Sequence, residues 1–319
     1  MMEQIKIISI DHGNQNIKTL NHVFTAGYME CGHLPSIGGD ILAYGDKEYA
    51  LVDQRLPHKK DKSIDEDYFI LTLYAIGKEL STANKTQTVD SRDKCWNVEL
   101  LVGLPPLQFK TMKQRFIAYF MKRKFPIEFA LNGIPITIKI SAVHVYPQAY
   151  AAFVTVMEKF MDVRTLNIVD VGGHTVDILQ MVNLCPNMAV CTTLFGGVNT
   201  LFQRINESTR AKGDKDITDS VMEGVLRCDK KVLNECSQEL ISLIQSKAEQ
   251  FAREMIVEIS QVGLDLREHK TLFIGGGAIL LMKHIESTGL IAKQYYVTDV
   301  QANSKGYVIL HERQTGNRN

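Results

Sequence analysis

Two short segments in different halves of the chain carry the same residue types in the same order. Residues 10–18 read IDHGNQNIK, and residues 169–177 read VDVGGHTVD. In each segment an aspartate ends an apolar run, a glycine follows two positions later, and polar residues lead into another strand-like run. Such a β-turn-β loop can offer backbone N–H groups to an anion, because glycine permits a close approach.

The charged residues of these segments suit phosphate chemistry. Asp11 and Asp170 would repel a phosphate directly, but each can hold Mg²⁺ or its water shell, which bridges to phosphate oxygens. Lys18 would add a point charge on the phosphates. Either loop alone is also typical of an ordinary hairpin, whereas two facing loops can clamp a diphosphate or triphosphate from both sides. The repetition therefore favours a nucleotide site.

A third segment places a run of glycines late in the chain. Residues 273–278 read FIGGGA, so Gly275, Gly276 and Gly277 follow a strand-like run and open a helix. Glycines there leave N–H groups free and let the backbone lie flat against a nucleotide, although a tight strand-to-helix turn needs no ligand. The sequence contains no P-loop motif and no GxGxxG, which excludes those two phosphate-binding signatures.

The apolar pattern predicts an α/β fold, in which strand-like runs alternate with helical stretches. Each of the three segments follows a predicted strand, at residues 4–10, 165–171 and 271–275. Residues 40–52 are typical of a hairpin.

Helical periodicity extends over two longer stretches. It predicts one helix from Asp65 to Leu80 and another from about Gln238 to Val262. Tyr146-Pro147 is expected to open a further helix, with the proline in its first turn.

Composition narrows the function classes. The 319 residues are 45% hydrophobic and 23% charged, which excludes a largely disordered chain. The 36 basic and 36 acidic residues balance, so there is no global attraction to nucleic acid or to an anionic membrane. Six scattered cysteines without a CxxC pair, and the absence of a membrane-spanning apolar run, favour a cytoplasmic protein. The length favours two packed lobes.

In order and spacing, DxGxxxxK, DxGGxTxD and IGGGA resemble the actin/Hsp70/sugar-kinase superfamily. Within it the chain looks most like the bacterial plasmid-segregation actins of the ParM/StbA type. The segments that carry this resemblance are IDHGNQNIKT, FILTLYAIGKEL, VYPQAYAAF, VDVGGHTVDIL, FIGGGAILL and QANSKGYVIL, which cover nearly the whole chain.

This resemblance implies a two-lobed, actin-like fold of the duplicated ribonuclease H-like type, with a nucleotide cleft between the lobes. Lobe I would comprise residues 1–150, with a small insertion at about 30–64, and a C-terminal return over about 300–319. Lobe II would comprise residues 151–299.

The resemblance also assigns roles to individual residues. The contacts to the β- and γ-phosphates fall to Asp11, Gly13, Asn14, Asn16, Lys18, Gly172, Gly173 and Thr175. Mg²⁺ and its waters would be positioned by Asp11 and Asp170. Gly275, Gly276 and Gly277 would cradle the α-phosphate and adenosine. The ribose and base contacts fall to Gly196, Gly197, Asn199 and Gln203.

Tyr146-Pro147-Gln148 matches the connection that carries the catalytic polar residue of the family, where many ParM-type proteins have glutamate. An amide orients water but takes no proton, and phosphoryl transfer depends mainly on positioning and charge. We therefore expect slow hydrolysis with Gln148, Asp170 and Asp11 as catalytic residues. His12 and His174 are departures from the family pattern, and we expect each to face water or a neighbouring strand.

By resemblance, the protein is expected to be a polymerising ATPase whose filaments segregate plasmid DNA. Its cofactors would be ATP/ADP or GTP/GDP with Mg²⁺. Its partners would be further copies of itself in a filament and a ParR-like DNA-binding adaptor, so that it contacts DNA only indirectly and no membrane. A small-molecule kinase of the same superfamily and a static cytoskeletal scaffold remain alternatives.

Overall fold

The computed structural model describes residues 5–31, 39–85, 95–123 and 125–316. The chain divides into two compact units. Unit 1 comprises residues 1–155 and 301–319, and unit 2 comprises residues 156–300.

The strands of unit 1 are β1 (Ile5–His12), β2 (Asn16–Lys18), β3 (Val23–Thr25), β4 (Tyr28–Glu30), β5 (Ile41–Tyr44), β6 (Lys47–Leu51), β7 (Cys95–Leu104), β8 (Ile127–Leu131) and β9 (Ile134–Pro147). Those of unit 2 are β10 (Thr165–Val171), β11 (Thr175–Val182), β12 (Cys185–Phe195), β13 (Lys270–Ile274) and β14 (Gln294–Tyr296).

The helices, in chain order, are α1 (Asp67–Lys85), α2 (Pro106–Met121), α3 (Tyr150–Val154), α4 (Val198–Arg210), α5 (Asp219–Leu226), α6 (Lys230–Glu235), α7 (Gln238–Gln261), α8 (Gly276–Leu280), α9 (Met282–Ser287) and α10 (Ala302–Thr315). A short 3₁₀ helix spans Met157–Phe160. Among the described residues, no helix is both long and apolar enough to cross a membrane.

The two units repeat one sheet topology. Unit 1 contains the strand order β3-β2-β1-β7-β9, and unit 2 contains β12-β11-β10-β13-β14. In both, the first strand pairs antiparallel with the next strand in sequence and parallel with the strand on its other side. In unit 1 the sheet continues through β8, β5, β6 and β4. The predicted duplicated α/β architecture is therefore confirmed.

Each sheet has its own hydrophobic core. In unit 1, α1 packs into that core over most of its surface, because residues 68–76 are almost all apolar and all are buried. In unit 2, α7 buries one stripe that includes Ile244, Phe251, Met255 and Ile259. Rigid packing of this kind fixes where the strand ends, and hence the turns after them, come to lie.

The helix predicted to open at Tyr146-Pro147 is wrong. Both residues belong to β9, where Tyr146 lies opposite Gly103 and Pro147 opposite Leu104. Proline is tolerated at the end of a strand, where a missing N–H interrupts no ladder. The helix begins at Tyr150 instead.

Candidate functional site

Turn 1, defined as residues 11–18, joins β1 to β2 in unit 1. Asp11 lies opposite Lys18 in the register. The Gly13 N–H donates to the Asp11 carbonyl over 3.0 Å. A Cβ on Gly13 would lie 2.5 Å from the carbonyl oxygen of Asn16, so the close return of the chain requires glycine.

The Asp11 carboxylate is held by several side chains and is only 2% exposed. Gln148 Nε2 donates to its Oδ1 over 2.7 Å. Its Oδ2 lies 3.6 Å from Lys18 Nζ and 3.5 Å from Asn303 Nδ2. The structure thus brings together Asp11, Lys18 and Gln148, three of the residues singled out from the sequence.

Gln148 sits at the start of a tight γ-turn. The Tyr150 N–H donates to the Gln148 carbonyl over 2.6 Å, and the central residue Ala149 has φ 62° and ψ −54°. This backbone conformation is rare and strained for a residue with a side chain. The Ala149 N–H donates to Asn303 Oδ1 over 3.1 Å, so one asparagine supports both the γ-turn and Asp11. Sequence reasoning missed Asn303, because its segment QANSKGYVIL supported the family resemblance without assigning a role to the asparagine.

Lys62, which contacts turn 1 from outside it, is a second residue that sequence reasoning missed. Its Nζ donates to the His12 carbonyl oxygen and lies 5.1 Å from the centre of the Tyr68 ring. Tyr68 in turn donates its hydroxyl to Asn14 Oδ1 over 3.3 Å. Of the other predicted phosphate contacts, Asn16 begins β2 and pairs with β3.

His12 is a core residue, and the expectation that it faces water or a neighbouring strand is wrong. It is fully buried, and its ring packs against those of Tyr68, Phe116 and Phe120. The Thr72 hydroxyl donates to the Tyr68 carbonyl, so its oxygen accepts from His12 Nε2 over 2.8 Å. Burial, helped by the nearby Lys62 charge, lowers the pKa of His12 to about 3. The imidazole is therefore neutral.

Turn 2, defined as residues 170–177, joins β10 to β11 in unit 2 with the register of turn 1. Asp170 lies opposite Asp177, and Val171 opposite Val176. The Gly172 N–H donates to the Thr175 carbonyl over 2.9 Å. Asp177 accepts from the Thr193 hydroxyl over 2.5 Å, which fixes the carboxylate on the strand next to it.

Two glycine segments, residues 196–197 and 275–277, pack against turn 2. A Cβ on Gly197 would lie 2.4 Å from the Gly172 carbonyl oxygen. One on Gly275, whose φ is +88°, would lie 2.3 Å from Asp170 Oδ1, and one on Gly277 would lie 2.7 Å from the Val171 oxygen. The starts of α4 and α8 therefore pack directly on turn 2. A Cβ on Gly276, by contrast, would meet no atom within 4 Å.

The start of α4 is bound to turn 2 through its backbone. Val198 and Asn199 donate their N–H groups to the Gly172 and Gly173 carbonyls over 3.1 and 2.8 Å. The Gly196 and Gly197 N–H groups both donate to the His174 carbonyl over 3.1 Å.

The side chain of Asn199 and the exposed Gln203 line one surface cavity of unit 2, together with Phe202, Asn206, Arg210, Asp216 and Asp219. The predicted ribose and base contacts thus lie beside turn 2, and the side chains of Asn199 and His174 are 3.0 Å apart.

Comparison with known proteins agrees with this geometry. Residues 168–287 match the family model of the archaeal actin homologue MreB-like, C-terminal domain. No curated protein sequence matches the chain.

Solved structures match almost the whole chain. The apo pSK41 ParM protein superposes with a TM-score of 0.69 at 16% identity, covering 98% of each chain. A 15-stranded ParM filament from Clostridium botulinum gives 0.71 at 16% identity, covering 96% of this chain and 99% of the other. An archaeal actin homologue in complex with ADP gives 0.71 at 14% identity, again covering 96% and 99%.

These likenesses confirm the resemblance drawn from the three glycine-containing segments. The chain has the actin-like fold, and its residues 168–287 are similar to the C-terminal domain of the MreB-like actin homologues.

Proposed function

We propose that the protein is a nucleotide-dependent, actin-like ATPase whose polymerisation moves DNA in the cytoplasm. The observation that supports this most is the repetition of one turn geometry on two strands of an actin-like fold, with Gln148 bonded to the aspartate of turn 1. An archaeal protein of this fold has been solved with ADP, and ParM of this fold forms a filament.

In this proposal each turn supplies contacts to the phosphates of ATP or GTP. Turn 1 contributes Gly13, Asn14, Asn16 and Lys18, and turn 2 contributes Gly172, Gly173 and Thr175. A Cβ on Gly276 would meet no atom within 4 Å, so a flat ligand has space to lie against this backbone. Gly275 and Gly277 hold that backbone against turn 2.

The oxygen donors of Asp11 and Asp170 fit a hard cation such as Mg²⁺. Asp11 is buried and engaged by Lys18, Asn303 and Gln148, which suits contact through the water shell of the ion. When bound, Mg²⁺ neutralises charge that develops on the phosphates.

Gln148 orients the attacking water. Its amide nitrogen donates to Asp11, so its carbonyl oxygen is directed to accept a hydrogen bond from water. Asn303 and the strained γ-turn fix the backbone from which this side chain projects. Because an amide takes no proton, Gln148 positions the nucleophile without acting as a base, and hydrolysis is slow.

Nucleotide binding favours a conformation that stacks head to tail, and such a contact gives a helical filament when it does not close a ring. Hydrolysis then destabilises the filament. The partners are other copies of the chain and a ParR-like DNA-binding adaptor, so that contact with DNA is indirect.

Right-angle light scattering tests the proposal. Purified protein with Mg²⁺ receives ATP, GTP, ADP or a non-hydrolysable analogue, while phosphate release is followed in parallel. Scattering should rise with a triphosphate and decay as phosphate appears. A rise in scattering without decay favours a static scaffold. No rise with any nucleotide contradicts polymerisation and favours the small-molecule kinase instead.

Gln148→Ala separates a dynamic filament from a static one. Loss of water positioning should slow phosphate release by roughly 10²-fold and prolong the scattering plateau. Gln114→Ala on the exposed surface of α2 is the matched control and should behave as the unsubstituted protein. Unchanged phosphate release in Gln148→Ala would assign the catalytic role elsewhere.

A further inference from the structure

One face of the unit 1 sheet carries a cluster of metal-binding residue types that the proposed function does not use. Glu99 lies on β7, His144 on β9 and His311 on α10. Glu99 Oε2 is 3.5 Å from His144 Nε2 and 3.9 Å from His311 Nε2. One ligand atom from each residue lies within 4.8 Å of the other two.

A β-bulge creates this cluster. Val98 pairs with Ile140, but Glu99 pairs with Ala142, so Ser141 is an extra residue in β9. Side chains alternate between faces, and one extra residue moves all later ones to the opposite face. Without the bulge, His144 would face the core on the other side of the sheet from Glu99.

Helix α10 closes the cluster from above. It packs on β7 and β9 through Tyr307, which clusters with Leu101 and Tyr146. His311 follows Tyr307 by one helical turn, so it projects from the same face of α10. His311 is 5% exposed, and its ring centre lies 4.6 Å from that of His144.

Tyr146 orients the ring of His311. Its hydroxyl lies 3.4 Å from Gln314 Oε1, to which it donates, and 3.0 Å from His311 Nδ1. Tyr146 thus engages Nδ1 of His311, and Nε2 is the ring nitrogen that faces the Glu99 carboxylate. A hydrogen bond to the far ring nitrogen is how proteins orient a metal-binding histidine.

We propose that Glu99, His144 and His311 bind a divalent transition-metal ion of the Zn²⁺ class. Zn–N and Zn–O bonds of about 2.0–2.2 Å in a tetrahedron place the ligand atoms roughly 3.3–3.6 Å apart. The two separations from Glu99 Oε2, 3.5 and 3.9 Å, are close to this. Two imidazoles and one carboxylate select Zn²⁺ over Mg²⁺, which prefers oxygen donors alone. The ion ties α10 to the two central strands, and its fourth position is open to water.

Titration of the metal-stripped full-length protein tests this site. Without nucleotide, each chain should bind one Zn²⁺ ion with high affinity. When Co²⁺ replaces Zn²⁺, the protein should show the visible absorption of a tetrahedral site with nitrogen and oxygen ligands. Zn²⁺ should also raise the midpoint of thermal unfolding, because it binds the folded state. Mg²⁺ should reproduce none of these effects.

Single substitutions locate the ion. His144→Ala, at a half-exposed position, should abolish the high-affinity ion and the thermal shift while circular dichroism shows the native fold. His269→Ala in unit 2 is the matched control and should retain both. Tyr146→Phe should weaken Zn²⁺ affinity by about 10-fold, because it removes the support of His311.

Three results would overturn the site. One is that the unsubstituted protein binds no Zn²⁺ with high affinity. The cluster would then be only an ion pair between Glu99 and the two histidines. Another is an unchanged affinity in His144→Ala. The last is a thiolate-to-Co²⁺ charge-transfer band, which would place the ion on the exposed cysteines, among them Cys95, Cys185 and Cys228.

Discussion

Turn 1 and turn 2 have the same register but are held in place by different means. In both, the aspartate pairs with the residue seven positions later. In turn 1 the aspartate is surrounded by side chains, namely Lys18, Gln148 and Asn303. In turn 2 the backbone of Gly275 comes so close that an added Cβ would lie 2.3 Å from Asp170 Oδ1.

The residues that directly follow the two aspartates, His12 and Val171, also differ in their surroundings. His12 packs among aromatic rings and donates to Thr72. Val171 is an apolar core residue whose backbone lies close against Gly275 and Gly277. Turn 1 therefore adds a sensitivity to protonation, through His12, to its need for glycine at position 13, while turn 2 is sensitive to volume at Gly275 and Gly277. The same strand register can thus persist while different residues pack around it.

The largest effect is expected where turn 2 has no space. Gly275→Ala places a Cβ 2.3 Å from Asp170 Oδ1, at φ +88° and ψ 159°, a region that is almost restricted to glycine. Backbone strain and overpacking together should lower the free energy of unfolding by about 4 kcal/mol. Urea denaturation measures this loss.

The neighbouring glycine provides the matched control. Gly276→Ala adds the same methyl group in the first turn of α8, where it meets no atom within 4 Å. It should leave stability unchanged or raise it by up to about 1 kcal/mol, since alanine favours a helix over glycine. Equal destabilisation by the two substitutions would show that turn 2 is not limited by volume.

Much of this comparison could be predicted from the sequence. The positions of Asp11, Asp170 and the glycine triplet follow from short-range patterns, because strand periodicity and turn chemistry act over a few residues. The resemblance to the actin superfamily extended these local patterns to the fold. Strand β10 begins and ends where the pattern predicted, at residues 165 and 171.

The missing parts depend on contacts between distant residues. Asn303 reaches Asp11 only because α10 packs beside β1, and Lys62 reaches turn 1 from a segment outside every motif. The burial of His12 depends on α1 and α2, which the local sequence of turn 1 does not reveal. The bulge at Ser141 likewise changes which residues share a face without any glycine or proline to mark it.

A smaller effect is expected from the protonation of His12 in turn 1. The pKa of His12 is lowered to about 3, so as pH falls below about 6.5 the unfolded chain takes up a proton that the folded chain refuses. Stability is lost in that direction by up to about 1.4 kcal/mol per pH unit. His12→Gln keeps an N–H donor for Thr72 and should remove this part of the slope.

Urea denaturation of both proteins at about pH 7.5 and about pH 5.5 measures the difference, above the range in which most carboxylates titrate. The unsubstituted protein should lose more stability than His12→Gln over this interval, whatever their stabilities at neutral pH. Parallel slopes would mean that the folded state admits the proton.

The smallest effect concerns Asn303, which contacts both Asp11 and the γ-turn at Ala149. Asn303→Ala removes the acceptor for the buried Ala149 N–H and a donor to Asp11, which should cost about 1 kcal/mol of unfolding free energy. Asn303→Asp keeps that acceptor but sets a second carboxylate beside Asp11. It should therefore approach native stability only where one carboxylate is protonated. If both variants match the unsubstituted protein at every pH in urea denaturation, the γ-turn at Ala149 is supported by the strand and helix alone, and the Asp11 carboxylate is held by Lys18 and Gln148 without Asn303.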